Sequence, residues 1–186
     1  KAPKSGMMLG VLPSHSLYDG RLANVGWLME LPDPVTKATW DNVAMMSAGT
    51  AAQLGVKQDD VVRITTPAGS IELPVLVHPG IAGDTVITGT GFGRLEGGRV
   101  MAGQGANAFA VMHDAVNSVG YVSARIVKTG AVSKIATTQD HHSLSGDDFF
   151  DIDRSDIVKT GTLAAYLDNP ASLFARDIPV YGAEKN

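Results

Sequence analysis

The chain has 186 residues, 44% of them hydrophobic and 18% charged, with a formal net charge of −4. That length and composition suit one folded domain with an extension and exclude general disorder, and a slightly acidic chain without basic clusters gives no reason to expect nucleic acid. The absence of cysteine excludes disulfides and thiolate-held iron–sulfur clusters within these residues.

In chain order, Met8-Leu9-Gly10-Val11-Leu12 predicts a first strand that ends at Pro13. The segment from Ser14 to Trp27 is rich in glycine and hydrogen-bonding side chains. A loop of this kind leaving a strand can hold phosphate or a polar heterocycle through backbone amides, an arginine and an asparagine. The alternative is a surface loop whose polar side chains satisfy their own backbone. Glu30 to Lys37 contains Pro32 and Pro34, which forbid continuous helix and set an extended path. Trp27 and Trp40 flank it, and both are expected to pack in the core rather than stack on a cofactor.

The apolar run Val43 to Met46 stops at Ser47, whose hydroxyl can take a free amide at a helix start. Ala48 to Leu54 is mostly good helix formers, and Gly55 suits the left-handed residue that follows a helix. Val61, Val62 and Ile64, then Ile71, Leu73, Val75 and Val77, form two β-rich runs joined by Thr66-Pro67-Ala68-Gly69, which predicts a hairpin. His78 to Asp84 reads as a turn and Thr85 to Thr88 as a short strand.

Many of the 21 glycines fall between Gly80 and Gly105, in a loop region with special backbone needs. Gly103, Gly105 and Ala108 satisfy the spacing G-x-G-x-x-[GA]. A dinucleotide fingerprint of that type needs a strand before it, a helix after it and an acidic residue about 20 positions on. The preceding stretch is glycine-broken, and Tyr121 to Lys128 is β-like without a carboxylate, so a Rossmann fold is rejected. Phe109 to Met112 and Tyr121 to Val127 are read as further strands, Thr129-Gly130 as a turn, and Lys134 to Thr137 as a last strand closing a barrel.

From Thr138 the character changes. Thr137 to Gly146 is polar, 147–156 is acidic, and Thr162 to Leu167 reads as a short capped helix stopped by Asn169-Pro170. The expected division is residues 1–137 as a barrel and 138–186 as a polar connector. His141-His142 are adjacent, so on an extended segment they point apart and make a poor metal pair. Asp151 to Asp156 hints at a calcium loop, but its sixth position is Asp156 and its twelfth Thr162, where glycine and glutamate are required. No G-x-S-x-G elbow appears, and neither a catalytic residue nor a metal ligand is assigned. No apolar run nears the roughly 20 residues that cross a bilayer, so direct membrane insertion is not expected. The ends, Lys1-Ala2-Pro3-Lys4 and Glu184-Lys185-Asn186, read as those of a piece of a longer polypeptide.

The order of strand, short helix, glycine, acidic residue and hairpin over Trp40 to Val77 resembles the C-terminal, dinucleotide-binding domain of the molybdopterin oxidoreductases. That family's usual Gly-Asp before the first hairpin strand is Asp59-Asp60 here, which removes a glycine suited to a tight turn. Asn24 to Lys37, with Trp40-Asp41-Asn42, is similar to the large iron–sulfur subunit of alternative complex III and to polysulfide and tetrathionate reductases. Ala136 to His142 and Thr162 to Pro170 resemble the connector that leaves this domain in alternative complex III.

The resemblance implies a mainly β fold with short helices, a double-psi β-barrel of the aspartate-decarboxylase-like type, plus an extended C-terminal tail. It implies that Ser14 to Asn24 and Gly89 to Asn107 form one wall for a molybdopterin guanine dinucleotide. The matching contacts are Ser14, His15, Gly20, Arg21, Asn24, Arg94, Gly105 and Asn107, with Asn107 at the asparagine of the family's Gly-x-Asn. The other reading of Asn107 is a residue that only bridges two backbone segments. For the alternative complex III subunit the resemblance implies a structural module that kept the barrel and lost the pterin. Either way it implies a respiratory oxidoreductase subunit that passes electrons from quinol through iron–sulfur clusters in other parts of the polypeptide. Its partners would be the remaining domains and other subunits of a membrane complex, on the periplasmic face of the bacterial inner membrane.

Overall fold

β-Branched and apolar residues at alternate positions place the strands, as in β3 (Asp60–Thr66), where Val62, Ile64 and Thr66 are buried and Arg63 and Thr65 are exposed. The structure, a computed structural model, describes residues 6–112, 120–138 and 160–173. The chain divides into two compact units, residues 1–141 and 142–186.

In the first unit, β3 forms a hairpin with β4 (Gly69–Val77), in which Thr66 pairs with Gly69 around Pro67-Ala68. The other strands are β1 (Met7–Leu12), β2 (Ala44–Met46), β5 (Thr85–Gly89) and β6 (Gly120–Val132). They close into a barrel in the order β1-β5-β2-β4-β3-β6. β1 runs parallel to β5 and β2 parallel to β4, and the remaining pairs are antiparallel. Parallel neighbours need crossover connections, so this is a closed sheet of crossing strands, mainly β with short helices, consistent with the double-psi barrel expected. Leu9, Val11, Met46, Val62, Ile64, Leu73, Val75 and Val86 fill it with essentially no exposure, and each such side chain stabilises the fold by roughly 1.5–3 kcal/mol.

The helix α2 (Ala48–Leu54) begins and ends as expected. Ser47 Oγ accepts from the Thr50 amide at 3.2 Å, and Gly55 is left-handed at φ +66°. A further short helix, α1 (Gly26–Glu30), was not foreseen. The tight turn before β3 survives without the family's glycine because Asp59 itself adopts φ +68°. Three contacts hold it there: its amide donates to Val75 O, its carbonyl accepts from the Ser133 amide, and its Oδ1 accepts from the Ile135 amide. Aspartate tolerates this conformation better than most residues.

The structure differs from expectation at four places. Phe109 to Met112 is no strand: Ala108–Val111 is a 3-10 turn, started by Asn107 Oδ1 accepting from the Phe109 amide and tied to β3 by the Thr66 hydroxyl donating to Val111 O. Thr129-Gly130 does not turn the chain, because Gly130 at φ +89° lets β6 continue through an irregular register to Val132. Lys134 to Thr137 adds no ladder strand but lies extended beside Lys37 to Thr39, with the Thr39 amide on Ala136 O and the Thr138 amide on Lys37 O. Trp27 is 86% exposed because it lies on the outer side of α1, whereas Trp40 packs against Leu17, Ala23, Met29 and Met101.

In the second unit, Thr162 caps α3 (Leu163–Asp168) by accepting from the Ala165 amide, and a 3-10 turn over Pro170–Leu173 follows. Among the described residues of this unit, Leu163, Tyr166 and Leu167 are exposed. His141-His142, the acidic stretch and the rejected calcium loop lie outside the described residues.

Candidate functional site

The strand ends decide where the two glycine-bearing loops go. β1 and β5 are parallel neighbours, so the loops leaving them start at the same end of the barrel. The loops meet. The Thr90 hydroxyl donates to Tyr18 O at 2.7 Å, and Arg94 Nη1 donates to Gly20 O at 2.9 Å. Gly20 and Gly91 both have positive φ and pack backbone against backbone.

The residue that fixes the second loop is Asn42, 3% exposed. Its Nδ2 donates to Gly89 O and to Ala106 O, and its Oδ1 accepts from the Ala106 amide, each at 2.9 Å. One amide thereby joins the end of β5 to Ala106, 17 residues beyond it. Gly105 sits at φ +65° against this staple, where an added Cβ would lie 2.7 Å from Asn42 Oδ1 and 2.8 Å from Phe92 Cβ. The glycine permits a loop-to-loop approach. Bridging of two backbone segments, one of the two readings of Asn107, is done by Asn42.

The residues named from sequence fall at several places around these loops. Arg94, Gly105 and Asn107 border a shallow groove of about 680 Å³ that also contains Glu96 and Ser70. Ser14 and His15 line a separate cavity of about 300 Å³. Gly20 touches the Gly91 loop. Arg21 turns back on its own loop, with two hydrogen bonds to Asp19 and its guanidinium over the Tyr18 ring. That contact holds the half-buried Asp19 carboxyl at about 2, below the usual range. Asn24 lies exposed against Gly98.

The cavity beside Ser14 and His15 is walled mainly by apolar side chains, among them Met29, Trp40, Met45, Ile87 and Phe92. Two carboxyls stand in its wall. Burial works to raise the Asp33 carboxyl, but amides of Thr36 and Val35, the Thr36 hydroxyl and nearby His15 hold it below the ordinary value. Its Oδ2 is 3.4 Å from His15 Nδ1. Burial raises the Asp41 carboxyl, offset in part by the Gly105 amide. Sequence reasoning missed Asp33, Asp41 and Asn42 as residues of these walls and loops. Asp41 and Asn42 lay within Trp40-Asp41-Asn42, but no spacing shows that an asparagine amide turns inward.

A pyrophosphate-linked dinucleotide asks for uncompensated cations and available donors. Here Arg21 is closed on Asp19, Arg94 already donates to Gly20 O and has Glu96 beside it in the groove, and Asn42 Nδ2 already donates to Gly89 O and Ala106 O. The residues present do not form a ready donor set for that group. Among the described residues there is no grouping of three or more His, Asp or Glu that could hold a metal, and no helix is long and apolar enough to cross a membrane.

The molybdopterin-binding-like subunit of menaquinone reductase from Nitratidesulfovibrio vulgaris is 33% identical over 96 residues, which is 52% of this chain and 14% of that protein. The chain thus spans a small part of that relative. The acetylene hydratase of Pelobacter acetylenicus superposes with a TM-score of 0.50 at 19% identity, covering 66% of this chain and 18% of that one. That likeness concerns the fold alone, a barrel shared with a much longer protein. The family model described as "Molydopterin dinucleotide binding domain" matches residues 26–125, more than half of the chain, a stretch that holds α1, β2 to β5, the glycine-bearing loop after β5 and the start of β6. The chain belongs to the molybdopterin dinucleotide-binding domain family.

Proposed function

We propose that this domain serves the large subunit of a quinol-oxidising respiratory complex similar to alternative complex III, mainly as a structural module without a pterin. The observation that carries the reading is the inward use of the expected cofactor contacts. Arg21 is neutralised by Asp19, Arg94 donates to Gly20 O, and Asn107 Oδ1 accepts from the Phe109 amide. A domain built this way keeps the barrel's shape without a ligand to organise its loops. The relative's name adds support, since it joins quinone chemistry to a subunit called molybdopterin-binding-like. Electron transfer would run through iron–sulfur clusters in other domains of the polypeptide, in a membrane complex on the periplasmic face of the bacterial inner membrane.

The second reading is a working molybdopterin guanine dinucleotide domain of a membrane-associated reductase or dehydrogenase. The meeting of the Ser14–Asn24 and Gly89–Asn107 loops at one end of the barrel favours it, because both predicted edges of the wall are side by side. The two part on content. Molybdenum, tungsten and pterin analysis of the purified full-length subunit is expected to find none in stoichiometric amount. One equivalent of pterin per subunit would replace the first reading by the second.

A further inference from the structure

The loop after β1 carries a chemical weak point. Asp19-Gly20 is the one Asp-Gly pair in the sequence, and no Asn-Gly pair occurs. Such a pair is labile because glycine puts no Cβ in the path of its own nitrogen towards the preceding carboxyl. When the Gly20 nitrogen attacks Asp19 Cγ, a C–N bond forms and a carboxyl C–O bond breaks. The hydroxyl of the protonated carboxyl leaves as water, taking the amide proton with it. Water then opens the succinimide at either carbonyl, which restores aspartate or gives isoaspartate, with the main chain rerouted through the side chain.

The structure opposes this step at both reacting groups. The electrophile is the protonated carboxyl, and Arg21 keeps Asp19 ionised. The Arg21 amide and Nε donate to Asp19 Oδ1 at 3.1 and 3.0 Å, and Nη2 donates to Oδ2 at 2.8 Å. Paired in this way, the carboxyl lies at about 2. The guanidinium is steadied in turn by the Tyr18 ring, 5.2 Å from its centroid, and the forked geometry sets the pair apart from most surface ion pairs. The nucleophile is engaged as well, since the Gly20 amide donates to Leu17 O at 2.9 Å.

Damage at this point would reach the junction of the two loops. Gly20 O accepts from Arg94, Tyr18 O accepts from Thr90, and the Gly20 backbone lies against Gly91. Isoaspartate adds one main-chain atom between Tyr18 and Gly20, which takes these contacts out of register.

We propose that Asp19 is a latent isoaspartate site and that Arg21, a residue expected to contact a dinucleotide, instead keeps the site silent by pairing with its carboxylate. The inference goes beyond the proposed function and holds whether or not the parent subunit carries a pterin.

The test ages the purified full-length subunit in neutral buffer below its Tm and reads isoaspartate at position 19 by electron-transfer fragmentation of the peptide that contains it. The natural protein is expected to keep aspartate there. Arg21→Gln returns the carboxyl towards the ordinary aspartate value, so its protonated share at neutral pH, and with it the isomerisation rate, should rise by about tenfold or more. In that variant the rate should climb further as the buffer is taken from about pH 7 to pH 5, because the protonated carboxyl is what reacts. Arg21→Lys keeps the charge without the fork and should fall between the two, and it decides the matter if Arg21→Gln does not fold. Arg94→Gln frees Gly20 O, leaves the Asp19–Arg21 pair in place and should change the rate little. Equal rates in the natural protein and the Arg21 variants would overturn the proposal. So would an acceleration by Arg94→Gln as large as that by Arg21→Gln, which would put the protection in loop docking.

Discussion

Asn42 meets three backbone groups from two places in the chain, and removing its amide takes this partner from all three part-buried groups. Asn42→Ala is therefore expected to cost about 3 kcal/mol, read as a lower urea midpoint with an unchanged slope. Asp41, next to it, responds to pH in a direction set by burial. Its folded pKa is raised, so between the ordinary aspartate value and the raised one the folded state holds more protons than the unfolded state. Stability from this group is present at low pH and falls as pH rises through that window. Asp41→Asn should remove that component, and urea midpoints followed from about pH 4 to pH 7 should fall less with rising pH than in the natural protein. Asp60 acts with the opposite sign. Lys128 donates to it at 2.6 Å and lowers its pKa against the effect of burial, so its contribution is present above the ordinary aspartate range and lost as pH falls through the lowered value.

At the scale of elements, the turn before β3 shows how a missing glycine is tolerated. Asp59 takes the left-handed conformation and uses its carboxyl to hold the segment after β6. Asp59→Asn should be close to neutral, because asparagine shares both abilities. Asp59→Val should cost about 2 kcal/mol from backbone strain and the lost acceptor, measured by thermal unfolding of the pair. The hairpin of β3 and β4 was readable because alternation and the Thr66-Pro67-Ala68-Gly69 break agree. So was α2, where Ser47 and Gly55 mark both ends. Phe109 to Met112 was misread because four apolar residues look alike in a strand and in a turn. What decides there is the Asn107 cap and the Thr66 hydroxyl, and the second of these comes from 45 positions away. The exposure of Trp27 escaped for a related reason: composition favours burial of tryptophan, but the five-residue helix α1 turns this one outward.

For the whole molecule, strand order is the least local property and the hardest to read from residues. Six short runs are compatible with several barrels. The parallel pairings of β1 with β5 and of β2 with β4 select this one, and no spacing within the runs encodes them. The family resemblance supplied that information, and the closed order agrees with it. The candidate wall is legible to the same degree: its two loops meet as expected, but their side chains open on two separate hollows. Removal of residues 1–12 should open the barrel, since β1 is paired on both sides. The expected result is loss of a single cooperative unfolding transition, followed by circular dichroism through a urea series.

The pairing of Met7–Leu12 with Gly120–Val132 has a bearing on how the polypeptide is made. Translation delivers the first strand long before its antiparallel neighbour, and ring closure waits until more than a hundred further residues have left the ribosome. During that interval Leu9 and Val11 have no finished interior to enter. Nascent chains of this topology are natural clients of holdase chaperones, and the dwell time on such a chaperone should track elongation rate across the region encoding the last strand.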